Sequence, residues 1–130
     1  MQAIQSNGLS ARAIPVDITV GIVANTAMAA TMPAVPGWIN VLEGYDMTGT
    51  GATAAQTIDV TTTGLLVNAA QRLAIPAGAT VNAPNTAWSV RFPHGRRASA
   101  ANTAVVVNVP AFGAGNTGAA INLHGYRVPA

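Results

Sequence analysis

Half of the arginines in this chain fall within seven residues, Arg91-Phe92-Pro93-His94-Gly95-Arg96-Arg97. A guanidinium makes planar, bidentate contacts with carboxylates or phosphates and tolerates partial burial better than an ammonium. Arg91, His94, Arg96 and Arg97 therefore read as a docking point on an acidic partner surface, or as a solvated loop that maintains solubility. Elsewhere the residues that could do chemistry are sparse. Glu43 and Asp46 share a face only in a helix, which Gly44, Gly49 and Gly51 oppose, so they read as a solvated pair and not as an acid/base couple. His94 and His124 are isolated, without the neighbouring ligand spacing of a metal site. The run Gly49-Thr50-Gly51-Ala52-Thr53-Ala54 lacks the strand, helix and acidic residue that would make it a dinucleotide loop. Ser6, Ser10, Ser89 and Ser99 have no nucleophile-elbow context. These residues imply no enzyme, no cofactor, no metal and no small-molecule substrate.

The elements that would position these residues read as strands. Ile14, Val16, Ile18, Val20 and Ile22 alternate with Pro15, Asp17, Thr19, Gly21 and Val23, the period of a strand with one buried face. Further strands are expected at Trp38–Leu42, Thr57–Thr61, Leu65–Asn68, Arg72–Ile75, Thr80–Asn82, Ala87–Phe92, Ala104–Val109, Ala119–Leu123 and Tyr126–Val128. Ile75-Pro76-Ala77-Gly78 suits a type I turn between two of them. Alanine is frequent, but Gly, Pro, Asn and β-branched residues interrupt it, leaving at most a helical turn near Ala52–Gln56. The spacing predicts an all-β antiparallel sandwich or barrel.

Asn-Thr-Ala occurs three times, at Asn25, Asn85 and Asn102, with Pro33, Pro93 and Pro110 at the same offset. Asn and Thr favour side-chain turns and Pro ends strand pairing at an edge, so each copy predicts a turn, a strand and a stop. Strand punctuation and duplication both account for the repeat. Trp38 and Trp88 read as core anchors or interface anchors.

Charged residues make up only 8% of the 130, against roughly 25% in ordinary soluble domains, and there is no Lys or Cys. Ten formal charges cannot cover a soluble monomer in the usual way, so much of the exterior is expected to lie against other protein. The net charge of +2 is too small to argue for nucleic acid. The charge-free stretch Ile18–Leu42 reads neither as a membrane span nor as a secretion signal. Asn25, Thr31 and Asn40 interrupt it, Pro33 and Pro36 break it, and Asp17 stands at its entrance. Residues 1–13 carry little periodicity and are expected to form an extended arm anchored on a neighbour by Ile4 and Leu9. Residues 14–130 would then form a single β domain.

The strand-turn-strand Leu73-Ala74-Ile75-Pro76-Ala77-Gly78-Ala79-Thr80-Val81, the Thr/Asn-rich strand edges and the lack of Lys and Cys together resemble bacteriophage capsid decoration, or cement, proteins. That resemblance implies a β-sandwich, jelly-roll-like or β-tulip-like domain, often a homotrimer, on the outer capsid surface of the virion. Its partners would be the major capsid protein and its own copies, with no nucleic acid and no membrane. Other virion parts, namely tail tube, head completion or fibre base, are the nearest alternatives. A carbohydrate-binding adhesion sandwich, stacking sugars on Trp38, Tyr45 or Trp88, is a further one.

Overall fold

A computed structural model describes residues 12–77 and 86–130. The alternation at the start of the chain folds into β1 (Ile14–Val23) with Val16, Ile18 and Val20 half-buried on one face, but Ile14 and Ile22, expected on that face, are exposed, Ile22 at a register shift between Gly21 and Val23. This strand is followed by β2 (Met28–Met32), β3 (Trp38–Gly49), β4 (Gln56–Thr63), β5 (Ala70–Ile75), β6 (Thr86–Arg97), β7 (Val105–Val109) and β8 (Ala119–Pro129). Two four-stranded antiparallel sheets, ordered β1-β8-β3-β6 and β2-β7-β4-β5, enclose the core. The chain is thus an all-β sandwich. The order, with strands from the two ends of the chain paired in each sheet, is that of an eight-stranded jelly roll.

Inward positions of both sheets, with Phe112 from the loop between β7 and β8, supply the core, and Met32, Leu42, Tyr45, Met47, Val60, Val105, Val107, Val109, Phe112, Ile121 and Leu123 are essentially out of solvent. These side chains cluster around a chain that is half aliphatic and aromatic but has few large rings. Tyr45 meets Phe92 edge-on at 6.5 Å, and Trp88 meets Phe112 at 5.7 Å. Such contacts add about 0.5–1.5 kcal/mol each beyond the area they bury.

The Asn-Thr-Ala expectation holds for two copies. Asn25 and Asn102 both have positive φ, 41° and 54°. In both, the following Thr donates its hydroxyl to the carbonyl of the residue before the Asn, Ala24 or Ala101. The strands that follow, β2 and β7, pair with each other over their full length and stop at Met32 and Val109, one residue before Pro33 and Pro110. In the remaining copy Pro93 lies inside β6 instead of ending it. β6 is an edge strand bonded only to β3, where a missing N–H is tolerated.

Several expectations are corrected. Trp38–Leu42 is only the first part of β3, which runs to Gly49 and so carries Glu43 and Asp46 on a strand and not on a loop. Ala119–Leu123 and Tyr126–Val128 are one strand. Gly125 does not turn the chain there; its missing Cβ leaves room for the Met32 side chain and the Val41 carbonyl. Leu65–Asn68 makes a single bridge from Leu65 to Ala98 and otherwise forms a loop closed by the Leu65 N–H donating to Asn68 Oδ1. Ala52–Gln56 has no helical turn, and Gln56 opens β4. β2 was expected only from the turn at Asn25 and the stop at Pro33, because its Ala-rich outline lacks an aliphatic alternation. The strand at Thr80–Asn82 and most of the proposed arm, with Ile4 and Leu9, lie outside the described residues, as does the end of the turn after Ile75.

Candidate functional site

The register aligns charged and polar residues from four strands into one row across the outer face of the β1-β8-β3-β6 sheet. Asp17 on β1 stands opposite His124 on β8, and Asp46 on β3 stands opposite Ser89 on β6. His124 Nδ1 lies 3.0 Å from Asp17 Oδ1 and its Nε2 lies 2.7 Å from Asp46 Oδ2. Asp46 also accepts from the Ser89 hydroxyl and from Arg91 Nη2 at 3.0 and 3.2 Å. The row therefore reads minus, plus, minus, plus, and opposite charges on neighbouring strands stabilise a sheet.

With a carboxylate at each ring nitrogen, both nitrogens of His124 must donate, which requires the imidazolium. Hydrogen bonds to Asp17 and then to Asp46 raise the His124 pKa above 6.5, against a smaller opposing effect of burial. The Asp46 carboxyl is held below its usual range, chiefly by the Ser89 hydrogen bond and also by His124 and Arg91. Ser89, His124 and Asp46 share residue types with a hydrolytic triad but not its wiring. Ser89 donates to Asp46 and His124 is occupied on both sides by carboxylates, so no base is left to activate the hydroxyl. Among the described residues, no group of three or more His, Asp or Glu side chains is arranged to hold a metal ion.

The arginine-rich heptapeptide is not a loop and does not act as one cluster. Phe92, Pro93, His94 and Gly95 of β6 stand against Glu43 alone on β3, between the pairs Gly44–Arg91 and Leu42–Arg96. This wide bulge, with φ of 66° at His94 and 75° at Gly95, turns Phe92 into the core and separates the arginines. Arg91 goes to the polar row. Arg96 lies over the Phe92 ring, 4.7 Å from its centroid. Arg97 and His94 are exposed on either side of the bulge. Around it, His94, Gly95 and Arg97 border a shallow depression of about 290 Å³ floored by Ile39, Val41, Tyr126 and Val128.

Arg72 on β5 is paired with Asp59 on β4 at 2.9 Å. Three of the four acids, Asp17, Asp46 and Asp59, are thereby matched within the chain, and Glu43 has no ion pair among the described residues. Exposed aliphatic side chains remain at Ile14, Ile22, Leu66 and Val67, the last two at 64% and 67% of full exposure.

At one end of the sandwich two asparagines clip loops together. The Asn25 N–H donates to Asn116 Oδ1, the Gly113 N–H donates to Asn25 Oδ1, and Asn116 Nδ2 donates to the Thr50 carbonyl. Asn40, buried in β3, donates through Nδ2 to the carbonyls of Met32, Pro33 and Thr103. Of the aromatics considered for sugar stacking, Tyr45 is in the core at 1% exposure and is removed from that role. Trp38 and Trp88 are each half-buried, Trp88 packing on the core and Trp38 standing at the start of β3.

No family model and no curated protein matches the chain. A solved structure from Desmodium yellow mottle tymovirus is similar over 88% of this chain and 83% of that one, with 11% identity and a TM-score of 0.42. A likeness at that level carries no argument about what this chain does.

Proposed function

We propose that this chain is a non-enzymatic structural subunit of a virus-type particle, and more narrowly a decoration protein that binds the outer shell and bridges its subunits. The carrying observation is how the charge is spent. Three of the four acids are matched across the chain's own strands, by Arg72, Arg91 and His124, while aliphatic side chains at Ile14, Ile22, Leu66 and Val67 face outward. A surface of a chain with only 8% charged residues, set with aliphatic tips, is suited to lie against protein. Jelly rolls serve as shell, lectin and metal-binding domains, so the fold alone does not choose among these. The occupied His124 and the inward Tyr45 speak for the first of them. The partners on this reading are a major shell protein and further copies of the chain, in trimers.

A second reading is a subunit that itself builds the shell, since the same charge-poor exterior would suit contacts between identical shell subunits. Particles produced with and without the chain separate the two. Decoration predicts that particles form without it and rupture at lower temperature or under milder osmotic shock. Failure to form any particle supports the shell-building role. Particles of unchanged heat and osmotic resistance would refute both.

A further inference from the structure

The β4–β5 loop presents its two aliphatic side chains from a backbone that is fixed on all sides. The Leu66 N–H donates to the Arg97 carbonyl at 3.0 Å, the Ser99 N–H donates to the Gly64 carbonyl at 2.9 Å, and Leu65 bridges to Ala98. Gly64, at φ 87°, makes this approach possible, since a Cβ there would run into the Ala104 carbonyl. Leu65 turns inward and is 4% exposed, so the neighbouring Leu66 and Val67 are not displaced core residues but a presented tip. Beside them Arg96 and Arg97 complete the wall of a shallow depression of about 310 Å³.

We propose that Leu66, Val67, Arg96 and Arg97 form one docking surface for a partner polypeptide segment that carries carboxylates around an apolar side chain. It rests on the reading of the chain as an assembly subunit and names the chemistry of the partner. Two features of the surface select that occupant. Arg96 is held in place by the Phe92 ring and by a long hydrogen bond, 3.5 Å, from its Nη1 to the Val67 carbonyl, and neither Arg96 nor Arg97 has a carboxylate partner among the described residues, so two guanidiniums await acids next to an apolar seat. A second copy of this chain is a poor source of those acids, because Asp17, Asp46 and Asp59 are already engaged and Glu43 alone remains. A nucleic acid or sulfated sugar would satisfy the arginines and leave Leu66 and Val67 uncovered. An acidic segment with an apolar centre satisfies all four.

The test uses the full chain and a short fluorescent peptide with a central leucine-phenylalanine pair flanked by glutamates, followed by anisotropy. Control peptides replace the central pair by serines or the glutamates by glutamines, and a single-stranded oligonucleotide of equal charge is a further competitor. The acidic, apolar-centred peptide should bind, and both control peptides should bind at least about tenfold more weakly. Arg96→Gln with Arg97→Gln, and separately Leu66→Ser with Val67→Ser, should each weaken binding by about tenfold, with thermal unfolding unchanged. Equal binding by these variants, or failure of the peptide to bind, would overturn the proposal. So would tighter binding of the oligonucleotide, or peptide binding that falls as the chain concentration is raised, which would assign the surface to nucleic acid or to self-contact. Sedimentation of the same variants keeps the two readings apart. Loss of peptide binding with self-association intact supports the surface, whereas a chain that never self-associates refutes the assembly reading whatever the peptide does.

Discussion

Replacing His124 by Gln removes the cation between Asp17 and Asp46 while keeping a side chain that can donate to only one of them. The wild-type imidazolium makes two carboxylate contacts, at 3.0 and 2.7 Å, from a side chain 37% exposed. Pairs this accessible contribute about 0.2–1 kcal/mol each after solvent screening, so the expected loss is about 1–1.5 kcal/mol. For a chain of this size that corresponds to a fall in Tm of roughly 3–6 °C. The pH dependence identifies the cause. The folded pKa of His124 is raised, so its stabilising contribution is complete below the unfolded value of 6.5 and is lost as pH rises through the folded value. Asp46 has the opposite sense. Its folded pKa is lowered, so its contribution is present above 3.8 and is lost as pH falls through the folded value. Wild type should therefore be most stable between about pH 4 and 6.5 and decline as pH rises through the folded value of His124. In His124→Gln the decline on the alkaline side should be largely absent, with the two proteins converging at high pH. Urea unfolding at pH 5.5 and pH 8.5, together with the His124 ring titration by NMR, measures both quantities. A His124 pKa at or below 6.5, or equal destabilisation of the variant at the two pH values, would refute the imidazolium assignment.

Asn40→Ala should cost about 2–4 kcal/mol, because it strips the shared donor from three carbonyls inside the fold, and chemical denaturation measures it. A loss below about 0.5 kcal/mol would mean that those carbonyls do not depend on Asn40. Tyr45→Phe should be neutral or stabilising by up to about 1 kcal/mol, since the Tyr45 hydroxyl is buried with no hydrogen-bond partner among the described residues. Burial also pushes its pKa up to about 12, so the phenol absorbance of Tyr45 should not titrate below the pH at which the protein unfolds.

What was legible in the sequence was whatever a few adjacent residues encode. The alternation of β1 and the Asn-Thr-Ala turns at Asn25 and Asn102 are local; the turns formed as their chemistry dictates, and the alternation holds through Val16, Ile18 and Val20 but not at Ile14 or at Ile22, where the register shifts. β2 was legible only through the punctuation around it, because Met28-Ala29-Ala30-Thr31-Met32 owes its strand state to pairing with β7 and to burial, while its alanines carry no strong local preference. The polar row was invisible for a different reason. Asp17, Asp46, Ser89 and Arg91, and His124 come from four distant segments, and only the jelly-roll winding sets β8 between β1 and β3. Conversely, the arginine-rich heptapeptide looked like a unit because it is contiguous. The bulge at Phe92–Gly95 divides it, sending Arg91 to Asp46 and leaving Arg96 and Arg97 beside Leu66 and Val67.

The claim that this chain is an assembly subunit is tested most directly by sedimentation velocity of the purified protein over a wide concentration range. The account predicts a species well above the 13.0 kDa of one chain, with three copies as the expected stoichiometry. A single, freely soluble monomer at every concentration would contradict it.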